Sequence, residues 1–200
     1  MQLLGLLIVE CAECNVEAAV LLDASSKSSN NDWLNMLNFV NTVAGTYNIN
    51  QQCVRVAVVH YAQSAFAPIT LNRYNDINSL RQAVSALTII GGGSNLAEAF
   101  RLLRNSVFSR NFVRSGARLI AIVLTDRLSC SNDIRSEAAT LQRMNVEIIA
   151  IGVMTGRVES SCLTQIVSNR QSVEVPSYSL LSTYASLAAR YACPTATTSK

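Results

Sequence analysis

An α/β domain is predicted, with a mainly parallel sheet covered by helices on both faces. Short apolar runs alternate with stretches of helical periodicity, and nearly every run ends in a polar or glycine-bearing loop. Half of the 200 residues are hydrophobic and only 14% are charged, which excludes a disordered chain and provides for a sizeable core. Eight Gly and three Pro exclude collagen-like and proline-rich architectures.

The elements follow in order. Residues 16–22 (Val-Glu-Ala-Ala-Val-Leu-Leu) read as a buried parallel strand ending at Asp23. Trp33, Leu37, Val40, Ala44 and Tyr47 recur at helical spacing, with Asp32 as the expected N-cap and Gly45 near the stop. Residues 53–61 form a second strand and 65–71 a third. Pro68 confines the third to a sheet edge, and its short connection to the second suggests an antiparallel hairpin. Leu80, Val84 and Leu87 mark a helix. The loop Gly91-Gly92-Gly93-Ser94-Asn95 leads into another, carrying Leu96, Phe100, Leu103 and Val107. Residues 117–125 are the most hydrophobic strand, predicted to be central and to end at Asp126. A helix with Ile134, Leu141 and Met144 follows, then a strand at 146–154 and a helix at 162–168. A short strand at 171–175 and a closing helix with Leu180, Tyr184, Leu187 and Tyr191 complete the chain. No linker or internal repeat divides it, so one domain is expected.

The N-terminus carries an apolar stretch from Leu3 to Val9 before Cys11 and Ala12. Residues 1–12 read as a short secretory signal lacking a basic start, or alternatively as a buried first strand. Six cysteines and one histidine favour a disulfide framework in an oxidising compartment over a zinc site. A Cys14–Cys193 bridge would close nearly the whole domain, worth roughly 5 kcal/mol in the chain-entropy model. Cleavage before Cys14 would leave five cysteines, with Cys53 as the expected free thiol. No apolar run reaches the roughly 20 residues of a membrane-spanning helix. A net charge of +3 is too small to argue for nucleic acid.

Ligands of such sheets bind outside the carboxyl ends of the strands. Asp23-Ala24-Ser25-Ser26-Lys27, Ser94-Asn95 and Thr125-Asp126 fall there, and their oxygens suit a hard divalent cation such as Mg²⁺. The glycine loop at 91–93 lacks the spacing of a nucleotide cradle and reads as turn geometry. No serine–histidine pair is suggested around His60, so catalysis is not expected.

Five ordered segments carry a resemblance: 20–28 (Val-Leu-Leu-Asp-Ala-Ser-Ser-Lys-Ser), 54–62 (Val-Arg-Val-Ala-Val-Val-His-Tyr-Ala), 91–100 (Gly-Gly-Gly-Ser-Asn-Leu-Ala-Glu-Ala-Phe), 122–126 (Ile-Val-Leu-Thr-Asp) and 148–153 (Ile-Ile-Ala-Ile-Gly-Val). Together they resemble a von Willebrand factor type A domain over residues 14–193, leaving 194–200 as a tail. The resemblance implies a doubly wound, mainly parallel six-stranded sheet with one antiparallel edge strand and a metal-ion-dependent adhesion site on its top face. Asp23, Ser25, Ser94 and Asp126 occupy ligand positions. Lys27 stands where the family has a second serine, and Arg127 where a glycine usually follows the aspartate. An ammonium group cannot ligate a metal while protonated, so the site is expected to be degenerate, with Mg²⁺ held weakly and no other cofactor. Lys27, Asn95 and Arg127 are the expected partner-contacting residues. The resemblance also implies a Cys130–Cys162 bridge.

The expected function is a secreted extracellular-matrix adhesion module, similar to the A domains of matrilins and collagen VI, with collagen as first candidate partner. Two alternatives stand beside it. One is a matrix assembly unit linked through intermolecular disulfides of Cys53 or Cys11. The other is an acidic-glycan binder using a positive face of Arg101, Arg104, Arg110, Arg114 and Arg118, with Glu98 the only acid nearby in sequence.

Overall fold

The computed structural model describes residues 15–25 and 29–193. The expected signal at 1–12, the pairing of Cys14, the position of Lys27 and the tail at 194–200 lie outside the described residues.

Six strands form one sheet in the order β3-β2-β1-β4-β5-β6. They are β1 (Val16–Asp23), β2 (Val54–Tyr61), β3 (Ala65–Ile69), β4 (Arg118–Leu128), β5 (Val146–Val158) and β6 (Ser172–Val175). β3 pairs antiparallel with β2 at the edge, as Pro68 predicts, and all other pairings are parallel. Alternation along each central strand feeds two cores. Ala18, Val20, Leu22, Ile120, Ile122 and Leu124 face one side, packing on helices α1 (Asn30–Ala44), α2 (Ile77–Ser85) and α6 (Leu181–Ala192). Ala19, Leu21, Ala121 and Val123 face the other, under α3 (Leu96–Leu102), α4 (Asn132–Arg143) and α5 (Ser160–Ile166). A strand buried on both faces is mostly apolar, which is why β1 and β4 read as nearly continuous runs, Glu17 being the exception in β1.

Four expectations are corrected. α1 is capped by Ser29, not Asp32. The Ser29 hydroxyl accepts from the Asp32 N–H, and Asp32 accepts the Ser29 N–H in return, a reciprocal capping box. β4 does not end at Asp126. It continues to Leu128 because β5 also overruns, pairing Arg127 with Arg157 and Leu128 with Val158 beyond a bulge at Thr125/Arg127. Cys53 is not a free thiol: it is disulfide-bonded, as are Cys193 and the Cys130–Cys162 pair.

The arginine face is the fourth. Arg101 pairs with Glu98, Glu137 and Asp133, Arg104 with Glu137, Arg114 with Glu17 and Arg118 with Glu147. Apart from Glu98 on α3, these acids come from β1, α4 and β5, far away in sequence, so chain proximity hid them. Arg114 and Arg118 sit near the amino ends of the strands, whereas Arg101 and Arg104 face α4. One continuous positive strip is therefore not formed.

Candidate functional site

Asp23 ends β1, and Asp126 lies on the neighbouring β4, so both carboxylates flank the point where strand order reverses. The glycine loop is tied across them. Ile90 and Gly91 donate their N–H groups to Ala24 O at 3.1 and 3.0 Å, and Asn95 N donates to Ala62 O at 2.8 Å. Gly91 and Gly92 adopt φ of 88° and 94°, a turn that side chains with a Cβ resist. This path delivers Ser94 to Asp23, and its hydroxyl donates to Asp23 Oδ2 at 2.7 Å. Ser25 N donates to Asp23 Oδ1 at 3.1 Å.

Asp23 is fully buried. Burial raises its pKa above the ordinary carboxylate value, opposed by the hydrogen bonds from Ser94 and Ser25 and reinforced by the negative charge of Asp126. The Ser25 hydroxyl faces the same carboxylate but lacks hydrogen-bond geometry, so its Oγ is left buried without a partner. Tyr61 lies underneath, its phenol pushed well above its usual value by burial and then by Asp23. Thr125 stabilises the bulge, accepting the Arg127 N–H at 3.0 Å and donating to Arg127 O at 2.7 Å.

Two carboxylates and two hydroxyls therefore converge, oxygen donors of the type a hard cation prefers. Buried Ser25 Oγ and Asp126 Oδ1, each without a hydrogen-bond donor, fit that use. Arg127 does not. Its Nε lies 3.5 Å from Asp126 Oδ1, placing a permanent positive charge where a metal would need an uncommitted carboxylate. Among the described residues, no group of three or more His, Cys, Asp or Glu is arranged to hold a metal.

Asn95, expected to meet a partner, spends its side-chain oxygen as the N-cap of α3, accepting from Glu98 N at 3.3 Å. His60 takes no part in the site's hydrogen bonds and is buried edge-on between Trp33 and Phe66. Sequence reasoning missed Arg157, Gly156 and Glu159. They line or support a cavity of about 540 Å³ beside Ser94 and Arg127. It also missed Glu17, wholly buried on β1 and registered with Arg55 on β2, where Arg55 Nε donates to it at 2.8 Å and Arg114 N at 3.0 Å. A lone acid inside an apolar run, matched by a lone arginine in the next strand, was the available signal.

Comparison with known proteins gives a consistent picture. The model of the von Willebrand factor type A domain matches residues 18–186. Cuticlin-6 of Caenorhabditis elegans is 29% identical over 164 residues, covering 82% of this chain and 28% of its own length. Mouse matrilin-3 is 27% identical, covering 75% of this chain and 32% of its own. The chain thus spans about a third of these relatives. Among solved structures, proximal thread matrix protein 1 from the mussel byssus superposes with a TM-score of 0.82 at 25% identity, covering 92% of this chain and 47% of that one. The same mussel protein is also known with a zinc-occupied metal-ion-dependent adhesion motif.

Proposed function

This chain belongs to the von Willebrand factor type A domain family, and from that premise we propose that it is a secreted, non-enzymatic adhesion module of the extracellular matrix. Its top face binds a protein partner, with collagen the first candidate, and does so with only weak dependence on metal. The observation that carries this reading is the convergence of Asp23, Ser94 and Asp126 on one rim with the Arg127 guanidinium already against Asp126.

Asp23, Ser25, Ser94 and Asp126 are the residues that would hold Mg²⁺. Bound there, the ion would offer an open coordination position to a partner carboxylate. The chain's own residues work against tight loading. Arg127 neutralises Asp126, and burial favours the protonated form of Asp23. In the sequence, Lys27 stands at a family ligand position, and a protonated ammonium cannot serve as a ligand. Disulfide bonding of Cys53, Cys130, Cys162 and Cys193 supports an oxidising, extracellular setting. The paired arginines favour a protein partner over an acidic glycan.

The test is solid-phase binding of the chain to a panel of collagens and matrix proteins, in Mg²⁺ and in chelator, with calorimetry of Mg²⁺ binding alongside. Saturable binding that falls by less than about tenfold in chelator, and a Kd for Mg²⁺ at or above the millimolar range, are expected for a site missing one direct ligand. Complete loss in chelator would refute the weak dependence on metal. Absence of binding to every matrix protein would refute the adhesive role.

A further inference from the structure

The overrun of β4 and β5 creates an electrostatic conflict that the fold resolves only in part. Arg127 and Arg157 are registered partners in a parallel ladder, and registered side chains there point to the same side of the sheet. Like charges directly opposite each other are destabilising. Arg127 has Asp126 within 3.5 Å, yet its Nε is buried with no hydrogen bond. Arg157 is exposed and enters none of the ion pairs among the described residues. Arg127 is thus compensated in part by Asp126 and Arg157 by no acid, and that remaining charge points to a requirement outside the fold.

Both arginines line the cavity of about 540 Å³, whose remaining wall mixes Ser94, Ser129 and Glu159 with the apolar Leu96, Leu128, Ile134 and Val158. Glu159 is the acid on the same wall, and it too enters none of these ion pairs. The rim is fixed before any ligand arrives. The Cys130–Cys162 bridge ties the segment after β4 to α5, and Glu159 N donates to Leu128 O at 2.9 Å.

We infer that this cavity is a carboxylate subsite: an aspartate or glutamate side chain of a protein partner docks between the Arg127 and Arg157 guanidinium groups. A guanidinium presents parallel N–H donors that match both oxygens of a carboxylate, and charge-assisted bonds of this kind are about twice as strong as neutral ones. The apolar patch of Leu96, Leu128, Ile134 and Val158 accommodates the methylene stem. A sulfated glycan would need a run of uncommitted cations, and Arg101, Arg104, Arg114 and Arg118 are already paired with carboxylates. The subsite takes its anion by guanidinium rather than through an ion, so it operates in chelator. It rests on the reading that the top face is where the partner binds.

The test follows the Arg Nε–Hε resonances of the ¹⁵N-labelled chain in chelator, titrated with N-acetyl-glutamate N-methylamide, its glutamine counterpart, and a heparin hexasaccharide. Saturable shifts of Arg127 and Arg157 are expected with the glutamate compound, at least roughly tenfold stronger than with glutamine. Arg157→Gln, at an exposed position, should weaken that response by about the same factor, and Arg157→Lys should fall between because it keeps charge without the fork. Glu159→Gln should tighten it by removing a competing acid. No shift, an equal glutamine response, an unchanged Arg157→Gln variant, or a response to the hexasaccharide alone would each overturn the subsite. Surface plasmon resonance on matrix proteins separates the two readings. Equal matrix binding by the wild type and Arg157→Gln would remove the subsite and leave the adhesive role. Glutamate shifts with no matrix binding would do the reverse.

Discussion

Burial acts on His60 and Asp23 by one mechanism: each is pushed toward its neutral form. The two consequences for stability have opposite signs. His60 is walled in by Trp33 and Phe66 with its Nε2 unpaired, and burial lowers its pKa from 6.5 to about 4. The unfolded chain therefore takes up a proton that the folded chain refuses, so stability is lost as pH falls from about 6.5 to about 4. A shift of that size corresponds to about 3 kcal/mol over the interval. Asp23 has its folded pKa raised, so its ionised form costs stability at neutral pH, and that cost is relieved as pH falls through the raised value toward the ordinary carboxylate value. His60→Leu should remove the histidine contribution alone. Urea unfolding at pH 7 and pH 4 should show the variant losing about 3 kcal/mol less than the wild type across the interval. An identical loss in both would mean that His60 is not held neutral. At this scale Asp23 and Asp126 were legible in the sequence because each follows an apolar run, and Ser94 because it closes the glycine loop beside them. Arg157 was not, because an arginine in a polar stretch acquires meaning only from the strand beside it.

Among the elements, all six strands and their order of appearance were legible: the central ones because burial on both faces leaves them mostly apolar, β3 and β6 because short runs bounded by turn residues mark them. Their ends were not. Asp126-Arg127 looks like the first turn after β4, and Thr155-Gly156-Arg157 like the loop after β5. Each stretch becomes strand only because the other, some 30 residues away, provides its hydrogen-bonding partner. Gly156 makes that pairing possible. A Cβ there would fall inside contact distance of the carbonyl oxygen and Cβ of Asp126, and backbone cannot yield cheaply. Gly156→Ala should therefore separate the overrunning strands and cost about 2 kcal/mol or more, in the manner of an overpacked core. In calorimetry this corresponds to a Tm roughly 4–8 °C lower for a domain of this size. Thr155→Ala, at the exposed position next to it, should change Tm by about a degree or less. If Gly156→Ala melts like the wild type, the close approach of β5 to Asp126 is not present in solution.

For the whole molecule, the two helical layers are held by different means. The layer of α1, α2 and α6 rests on the larger apolar cluster, and Tyr47 on the segment after α1 donates its hydroxyl to Ala189 O at 3.1 Å. The opposite layer lies under the rim of the candidate site, and α5 within it has only seven residues, too few to be helical without tertiary support. Cys162, fully buried on α5, is bonded to Cys130 after β4 across a separation of 32 residues. Closing a loop of that length in the unfolded chain is worth about 4 kcal/mol in the chain-entropy model. The bridge therefore does two things: it narrows the unfolded ensemble and it holds the wall that carries Arg127, Arg157 and Glu159. Replacing both cysteines by alanine should lower unfolding free energy by about 4 kcal/mol. It should also raise amide exchange in α5 and the overrunning ends of β4 and β5, while β1 and α6 stay protected up to the new global limit. A loss under about 1 kcal/mol, or exchange raised equally everywhere, would show that packing of Leu163 and Ile166 on the sheet already fixes this layer. Partner binding then discriminates further, since a wall held by the bridge predicts weaker binding in the double variant at temperatures where it is still fully folded.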